Sequence, residues 1–210
     1  MLTSPEVLTV RKIAISICIC SLILSLVIAA EAATTTLSPY NSDLWDLEHN
    51  YYYGWGISLT VPHGLVIKEA VLTFKNITNW DNKPNVLFTH LVNTPTKIGT
   101  YRGNDTDDAM KDYWKNAGPL IGEFHDTNGA GNKQNLVYTF SSLDLLDDLN
   151  TFAADGKFGL VFDPDCHFYN EGVELEITTG GITFVTPEPA GLLSLLGGVG
   201  FIPLLRRRKA

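Results

Sequence analysis

One short loop holds the densest set of oxygen-bearing side chains in the sequence. It covers residues 163–174, DPDCHFYNEGVE, between two predicted strands. Calcium takes six to eight oxygen ligands from carboxylates, amides and carbonyls, so this composition suits a calcium site. The predicted ligands are Asp163, Asp165, Asn170 and Glu174, and Ca²⁺ is the one cofactor for which the sequence offers a site. An ordinary polar turn, in which Asp163 and Asn170 bond their own backbone, is the alternative.

Cys166 and His167 belong to residue types that bind zinc or form a nucleophile–base pair. Adjacent residues on an extended chain point in opposite directions, which disfavours both arrangements. The other histidines, at positions 49, 63, 90 and 125, have no ligand spacing. The sequence therefore predicts no catalytic residue, and Cys166 is interpreted as a small buried hydrophobe.

Carboxylates and aromatic residues raise two further hypotheses. Paired acids could act as in glycosidases, but that requires a separation of roughly 5–10 Å, which a sequence does not give. Tryptophans and the run of tyrosines at 51–53 could form a flat surface on which sugars stack, although core packing accounts for most aromatic residues. The acids in question are Glu123, Asp126, Glu174 and Glu176, and the tryptophans are Trp45, Trp55, Trp80 and Trp114.

The charge of the chain excludes one class of partner. The formal net charge is -8, and residues 33–185 carry 20 Asp and Glu against nine Lys and Arg. Nucleic-acid affinity depends mainly on neutralising phosphates with basic side chains, so nucleic acid is excluded as a partner. Within this region, the acidic stretch 104–112, NDTDDAMKD, is interpreted as a solvated loop or the start of a helix.

The segments that position these side chains are short and alternate apolar with polar residues, which is typical of strands. Residues 33–52 have little periodicity and are interpreted as a loose lead-in. Two hairpins are predicted: 120–126 with 136–140, and 173–178 with 182–185 through the turn 179–181. The remaining predicted strands are 56–61, 68–77, 85–92, 97–102 and 157–162.

One helix is predicted after residue 142. Ser142 is a suitable N-cap, and apolar residues follow at helical spacing. Gly156 is the predicted stop. The pattern therefore predicts an all-β fold, an antiparallel β-sandwich of jelly-roll type with one short helix. The apolar helix positions are Leu143, Leu146, Leu149 and Phe152.

The amino terminus has the organisation of a secretory signal peptide. Arg11 and Lys12 precede an apolar run at 13–30, and the sequence Ala30-Glu31-Ala32 supplies an A-x-A site. Cleavage by signal peptidase is predicted after Ala32. An uncleaved membrane anchor is the alternative, because the run is about long enough to span a bilayer.

The carboxyl terminus ends in an uncharged segment, Ala190–Leu205, followed by Arg206, Arg207, Arg208 and Lys209. As a helix the segment would be roughly 24 Å long at ~1.5 Å per residue. That length is slightly short of a ~30 Å hydrocarbon core, and snorkelling arginines can make up the difference. The basic cluster would stay cytoplasmic, which agrees with an exported amino terminus.

The motif Pro187-Glu188-Pro189, the glycine-containing apolar helix and the arginine cluster together resemble the PEP-CTERM sorting signal of exopolysaccharide-producing Gram-negative bacteria. The resemblance covers about 25 residues, with Thr186 where valine is typical. It implies transient anchoring in the inner membrane, removal of the tail near the motif by an exosortase, and release to the cell surface or extracellular matrix.

Three regions follow: a signal peptide at 1–32, a β-sandwich domain at 33–185 and a sorting tail at 186–210. The middle domain is similar to uncharacterised β-sandwich modules that precede such tails, most clearly over 158–177, FGLVFDPDCHFYNEGVELEI. We expect a non-enzymatic envelope or matrix protein whose sandwich binds glycan, with exopolysaccharide as a partner, or has a structural role. An exported polysaccharide hydrolase is the alternative.

Overall fold

The computed structural model describes residues 32–40, 43–105 and 111–181. The predicted signal peptide, apart from Ala32, and the whole sorting tail lie outside these residues, as does the predicted strand 182–185. Within the described ranges, no helix is both long enough and apolar enough to cross a membrane.

Two antiparallel β-sheets make up most of the described chain. In the first sheet the strand order is β1-β11-β4-β10-β2, and β8 also pairs with β4; in the second it is β6-β3-β9-β5-β7. One short helix, α1, spans Leu146–Phe152. The strands are β1 Ala33–Leu37, β2 Asp46–Leu47, β3 Tyr51–Ser58, β4 Leu65–Asn79, β5 Asn85–Val92, β6 Gly99–Asn104, β7 Leu120–Asp126, β8 Gln134–Thr139, β9 Lys157–Pro164, β10 Phe168–Tyr169 and β11 Val173–Gly181.

The two sheets share one apolar core, because alternate side chains of each strand point into the space between them. Phe74 of β4 meets Phe162 of β9 with ring centroids 5.4 Å apart and planes at 83°. Phe124 of β7 likewise approaches Phe168 of β10 at 5.9 Å. Each fully buried side chain of this kind contributes about 1.5–3 kcal/mol relative to leaving it exposed. The arrangement confirms the prediction of an all-β sandwich with one short helix.

Several strand predictions are confirmed, whereas one predicted hairpin and one predicted turn are wrong. Strands 85–92 and 120–126 have the predicted bounds. The hairpin of 120–126 with 136–140 does not form, because β7 pairs with β5 in the second sheet and β8 pairs with β4 in the first. Residues 179–181 are not a turn either, since they continue β11 and pair with 65–67 of β4.

Residues 33–52, interpreted from their weak periodicity as a loose lead-in, contain two strands and the start of a third. Residues 33–37 form β1, which pairs along its whole length with β11, and residues 46–47 form β2, which pairs with β10. Both strands are short and lie at the edges of the first sheet. Because the sheet interior supplies the partner strand, such segments need no strong periodicity of their own.

The helix begins later than predicted. Its N-cap is Leu145 and has no side-chain capping bond, whereas Ser142 lies in the preceding turn and Leu143 is exposed. Asp144, with φ of 59°, turns the chain into the left-handed region just before the helix, so the apolar period starts at Leu145. The predicted stop is confirmed: Gly156, with φ of 85°, ends the 3₁₀ turn that follows α1.

Asn150 ties α1 to the first sheet. Its side chain accepts a hydrogen bond from the Ile67 backbone N–H at 2.8 Å and donates one to the Ile67 carbonyl at 2.9 Å. Removing a side chain that satisfies partly buried backbone groups costs about 1–3 kcal/mol. We expect Asn150→Ala to lower the free energy of unfolding by this amount in denaturant titrations. Thr151→Ala, an exposed change on the same helix, should alter it by less than about 0.5 kcal/mol; equal effects would contradict this role for Asn150.

Candidate functional site

A cleft lies between the free edges of the two sheets. Strand β2 ends the first sheet and β6 ends the second, and residues from both line a cavity of about 360 Å³. We call it the edge cleft. It is strongly polar for its size, with three carboxylates and one guanidinium. The lining residues are Asp43, Asp46, Glu48, Tyr53, Thr100, Tyr101 and Arg102.

The walls of the edge cleft are fixed by contacts with the sheets. Gly54 of β3 leaves room for the Tyr101 ring, since a Cβ at Gly54 would lie 2.1 Å from that ring. The Glu48 backbone N–H donates to the Tyr53 hydroxyl at 2.9 Å. Thr100 donates a hydrogen bond to the Asp43 carboxylate, which joins the loop before β2 to β6. The cleft is therefore held from both sheets.

Beside the edge cleft, three rings contact the ring of His167. His167 stacks on Tyr169 with centroids 6.0 Å apart and planes at 11°. Its ring lies roughly perpendicular to those of Trp80 and His49, with centroids 5.7 Å and 5.4 Å away. We call His49, Trp80, His167 and Tyr169 the aromatic cluster. Trp80 is 53% exposed and Tyr169 43% exposed, so part of each side chain is accessible from solvent.

The aromatic cluster and the edge cleft form one continuous surface. The Nε2 atom of His167 lies 4.0 Å from Asp46 Oδ1 and 3.8 Å from Glu48 Oε1. Both carboxylates also line the cleft. On the other side of the cluster, Trp80 donates its indole N–H to the Cys166 sulfur at 3.0 Å, which fixes the orientation of the indole ring. Cys166 is half-buried, as a hydrogen-bond acceptor for that ring.

The predicted aromatic surface is only partly brought together. Trp55 and Tyr53 lie in the core, and Trp114 belongs to a separate group with Tyr52 and Tyr113. Trp80 alone of the four tryptophans joins the aromatic cluster. The sequence did not indicate that His49, His167 and Tyr169 belong to this surface, because their approach depends on the pairing of β10 with β2 and β4. The sequence did carry one signal for this surface: Trp80, His167 and Tyr169 each lie close to turn-forming residues.

The four predicted calcium ligands have separate partners. Asp163 accepts from the Tyr113 N–H at 2.8 Å, and Asp165 accepts from the Val86 N–H at 2.5 Å. Asn170 accepts from the Gly172 N–H, and Glu174 pairs with Lys75. Among the residues that the structure describes, no group of three or more His, Cys, Asp or Glu is placed to hold a metal ion. The calcium site stays a prediction that these contacts do not favour.

The acids considered for glycosidase chemistry are also dispersed. Asp126 is buried and accepts from the Asn79 and Asn128 N–H groups, whereas Glu123 lies near His125 on an exposed face of β7. Glu174 and Glu176 lie on β11 in the other sheet. The accessible carboxylates that share a cleft are instead Asp46 and Glu48, which the sequence analysis did not single out.

A second group of polar side chains lies buried on the outer face of the second sheet. His90 of β5 bonds Asp112 Oδ2 through Nε2 at 2.8 Å and the Gly118 carbonyl through Nδ1 at 3.1 Å. Asp163 of β9 lies on the adjacent strand and binds the Tyr113 N–H. These contacts fasten residues 112–118 over the sheet. Asp112 is therefore not the solvated residue that the acidic stretch predicts.

Asp163 is the acid most affected by this packing. It is 2% exposed, and its burial raises the pKa of the carboxyl to about 7. The hydrogen bond from Tyr113 opposes that rise, and the negative charges of Asp105 and Asp112 add to it. Burial also raises the pKa of Asp165. A buried carboxyl that keeps its proton near neutral pH is a structural group here, since residues 112–118 cover it.

No protein-family model matches the chain, and no curated protein matches it. Among solved structures, the chain is similar to recombinantly expressed latent aurone synthase, a polyphenol oxidase, at 12% sequence identity and a TM-score of 0.39. The match covers 74% of this chain and 29% of that one, so this chain spans less than a third of its length. Similarity at this level does not define a fold or a function.

The raised pKa of Asp163 predicts a specific pH dependence of stability. Between the ordinary value of 3.8 and about 7, the folded state holds a proton that the unfolded chain has lost. Stability from this group is therefore complete at low pH and is lost as the pH rises through about 7. The substitution Asp163→Asn keeps a side-chain oxygen that can accept the hydrogen bond from the Tyr113 N–H, and it removes the titrating carboxyl.

We expect the free energy of unfolding of Asp163→Asn to rise relative to the parent across this window by on the order of 4 kcal/mol, at about 1.4 kcal/mol per pKa unit. Urea unfolding at a series of pH values measures the difference. Asp147→Asn, an exposed change on α1, should leave the pH dependence of the parent. A difference between Asp163→Asn and the parent that stays constant with pH would contradict the buried titration.

Proposed function

We propose that this chain is an exported envelope or matrix protein whose sandwich binds polysaccharide through the aromatic cluster, without catalysing a reaction. One observation carries the proposal: Trp80 and Tyr169 present accessible faces around His167, beside a cleft lined with hydrogen-bonding groups. Aromatic faces are apolar surfaces on which the C–H side of a sugar ring can pack, and carboxylates accept bonds from sugar hydroxyls.

The orientation of Trp80 favours binding further. Its indole N–H is bonded to Cys166 and its ring contacts His167, so two contacts restrain the ring before any ligand arrives. A ligand that stacks on a fixed ring pays less entropy than one that must order a mobile side chain. Fixed and exposed aromatic rings are thus suited to recognition.

One observation favours the alternative, a polysaccharide hydrolase. Asp46 and Glu48 both lie within 4.0 Å of His167 Nε2, so their nearest oxygens are less than about 8 Å apart, within the range of glycosidase acids. However, the two residues are two positions apart on an extended stretch, so their side chains leave the chain on the same side. Glycosidase carboxylates flank the scissile bond from different sides. We therefore favour binding.

The architecture is proposed to be a jelly roll. With β2, β6 and β10 set aside, successive strands alternate between the sheets except for β5 and β7, which pair in the second sheet. The orders β1-β11-β4-β8 and β3-β9-β5-β7 support that assignment. Strands β2, β6 and β10 are additions to this pattern. Two of these additions, β2 and β6, form the edge cleft, so the proposed binding surface is built on elements outside the eight-stranded frame.

Export and sorting are proposed from the terminal sequences. The A-x-A site ending at Ala32 and the tail beginning at Pro187 support passage through the inner membrane, processing by signal peptidase and an exosortase, and delivery to the surface or matrix. The acidic sandwich would then meet exopolysaccharide outside the cell.

The processing proposal predicts the mass of the mature protein. Intact-mass analysis of protein recovered from a native producing cell should give a chain that lacks residues 1–32 and the segment after about Glu188. Replacing Pro187 and Pro189 with alanine should leave the tail attached, because the motif is the proposed recognition element. A mature protein that retains Arg206–Lys209 would contradict the sorting proposal.

The binding proposal predicts the effect of removing one ring. Purified full-length protein in detergent should bind polysaccharides on a glycan array, and Trp80→Ala should weaken that binding by at least about fivefold, since stacked aromatic contacts contribute about 1 kcal/mol or more. Tyr40→Ala removes an aromatic ring that is 79% exposed and outside the cluster, and should have no effect. An equal loss of glycan binding in both variants, or no loss in either, would contradict the binding proposal.

A different result would establish the hydrolase instead. In that case incubation with polysaccharide would release new reducing ends, and the release would depend on Asp46 and Glu48.

A further inference from the structure

The charges of the edge cleft are unbalanced. Asp43, Asp46 and Glu48 supply three carboxylates, and Arg102 supplies the one guanidinium. Among the described residues, none of the three carboxylates lies within 4.0 Å of a lysine or arginine nitrogen. The Arg102 guanidinium instead lies over the Tyr51 ring, 4.4 Å from its centroid. The cleft therefore presents a net negative charge.

Two of the carboxylates are open to a ligand. The side chains of Asp46 and Glu48 are 63% and 37% exposed, and both adjoin His167 of the aromatic cluster. Carboxylates at a partly enclosed surface, without a lysine or arginine partner, attract cations and repel anions over about a Debye length. The indole of Trp80 adds to this preference, because the face of an aromatic ring is also negative.

The ligand that matches both features has flat apolar faces and positive charges. A hexosamine polymer with free amino groups has both, because each ring stacks and each ammonium group pairs with a carboxylate. A neutral glycan would use only the stacking surface, and a polymer of uronic acids would be repelled by the cleft. The charge of the cleft therefore distinguishes three classes of polysaccharide: those with free amino groups, neutral ones and acidic ones.

We propose that the edge cleft and the aromatic cluster together select polysaccharides that carry free amino groups over neutral and acidic ones. This inference rests on the proposed binding function and specifies its ligand. The aromatic cluster supplies affinity for sugar rings in general, whereas Asp46 and Glu48 supply the discrimination. The two contributions are separable, because they come from different side chains.

Calorimetric titration of the full-length protein tests this with oligomers of equal length: glucosamine, N-acetylglucosamine, glucose and galacturonic acid. We expect the glucosamine oligomer to bind about tenfold more tightly than its acetylated form, which corresponds to two modest ion pairs. The preference should shrink at high ionic strength. The double variant Asp46→Asn with Glu48→Gln should remove this preference, because the amides keep the size and the hydrogen-bond acceptors of the two side chains but lose the charge that pairs with ammonium groups.

The matched control is Glu176→Gln with Asp147→Asn, two exposed acids on β11 and α1 that lie outside the cleft. This control removes two negative charges, as the cleft double variant does, and should keep the preference for the glucosamine oligomer. Equal or tighter binding of the acetylated, neutral or acidic oligomer by the parent would overturn the inference, and so would a preference that survives the double variant. If neutral oligomers bind in a Trp80-dependent way without an amine preference, the binding function stands and the inference fails. If no oligomer binds, both fail.

Discussion

The packing of the two sheets against each other, through contacts such as Phe74 with Phe162, is the constraint on which the other features depend. The only cysteine in the described ranges, Cys166, is free, so apolar packing holds the layers together without a disulfide. Once the layers are fixed, the short edge strands β2 and β6 must face each other across a gap. The edge cleft is that gap, and its carboxylates are held where no neighbouring strand covers them.

The same packing separates two kinds of acid. Asp163 lies on the outer face of the second sheet and is covered by the segment that His90 and Asp112 fasten, so burial raises its pKa. Asp46 and Glu48 lie at the free edge and keep contact with solvent. The acid with the strongly raised pKa is thus outside the accessible cleft.

The sequence predicted local features well and long-range ones poorly. Alternation in β5 and β7 sets their bounds, because each strand must bury one face, and Gly156 ends the helical segment because its backbone adopts a positive φ. The choice of partner strand depends on the layer to which each strand belongs, and a local pattern does not encode the layer. The hairpin proposed for β7 and β8 is wrong for that reason.

The candidate site also depends on long-range pairing that a local pattern does not encode. The loop 163–174 was predicted as a cluster of calcium ligands, yet Asp163, Asp165 and Asn170 accept bonds from backbone N–H groups and Glu174 pairs with Lys75. The accessible ring in the same loop is that of Tyr169, which stacks on the partly buried His167. Asp46 and Glu48 approach His167 across more than a hundred residues of sequence, through the pairing of β2 with β10. Only the fold brings them together, so spacing along the chain could not identify the site.

Nuclear magnetic resonance can detect the proposed sugar binding at Trp80, because each tryptophan has its own indole N–H signal. In a titration of ¹⁵N-labelled protein with a glucosamine oligomer, we expect the Trp80 signal to shift in a saturable way. The signals of Trp55, which is buried in the core, and of Trp114, which packs with Tyr52 and Tyr113, should not move. An unchanged Trp80 signal, or saturable shifts at Trp114 in its place, would show that the sugar does not bind at the aromatic cluster.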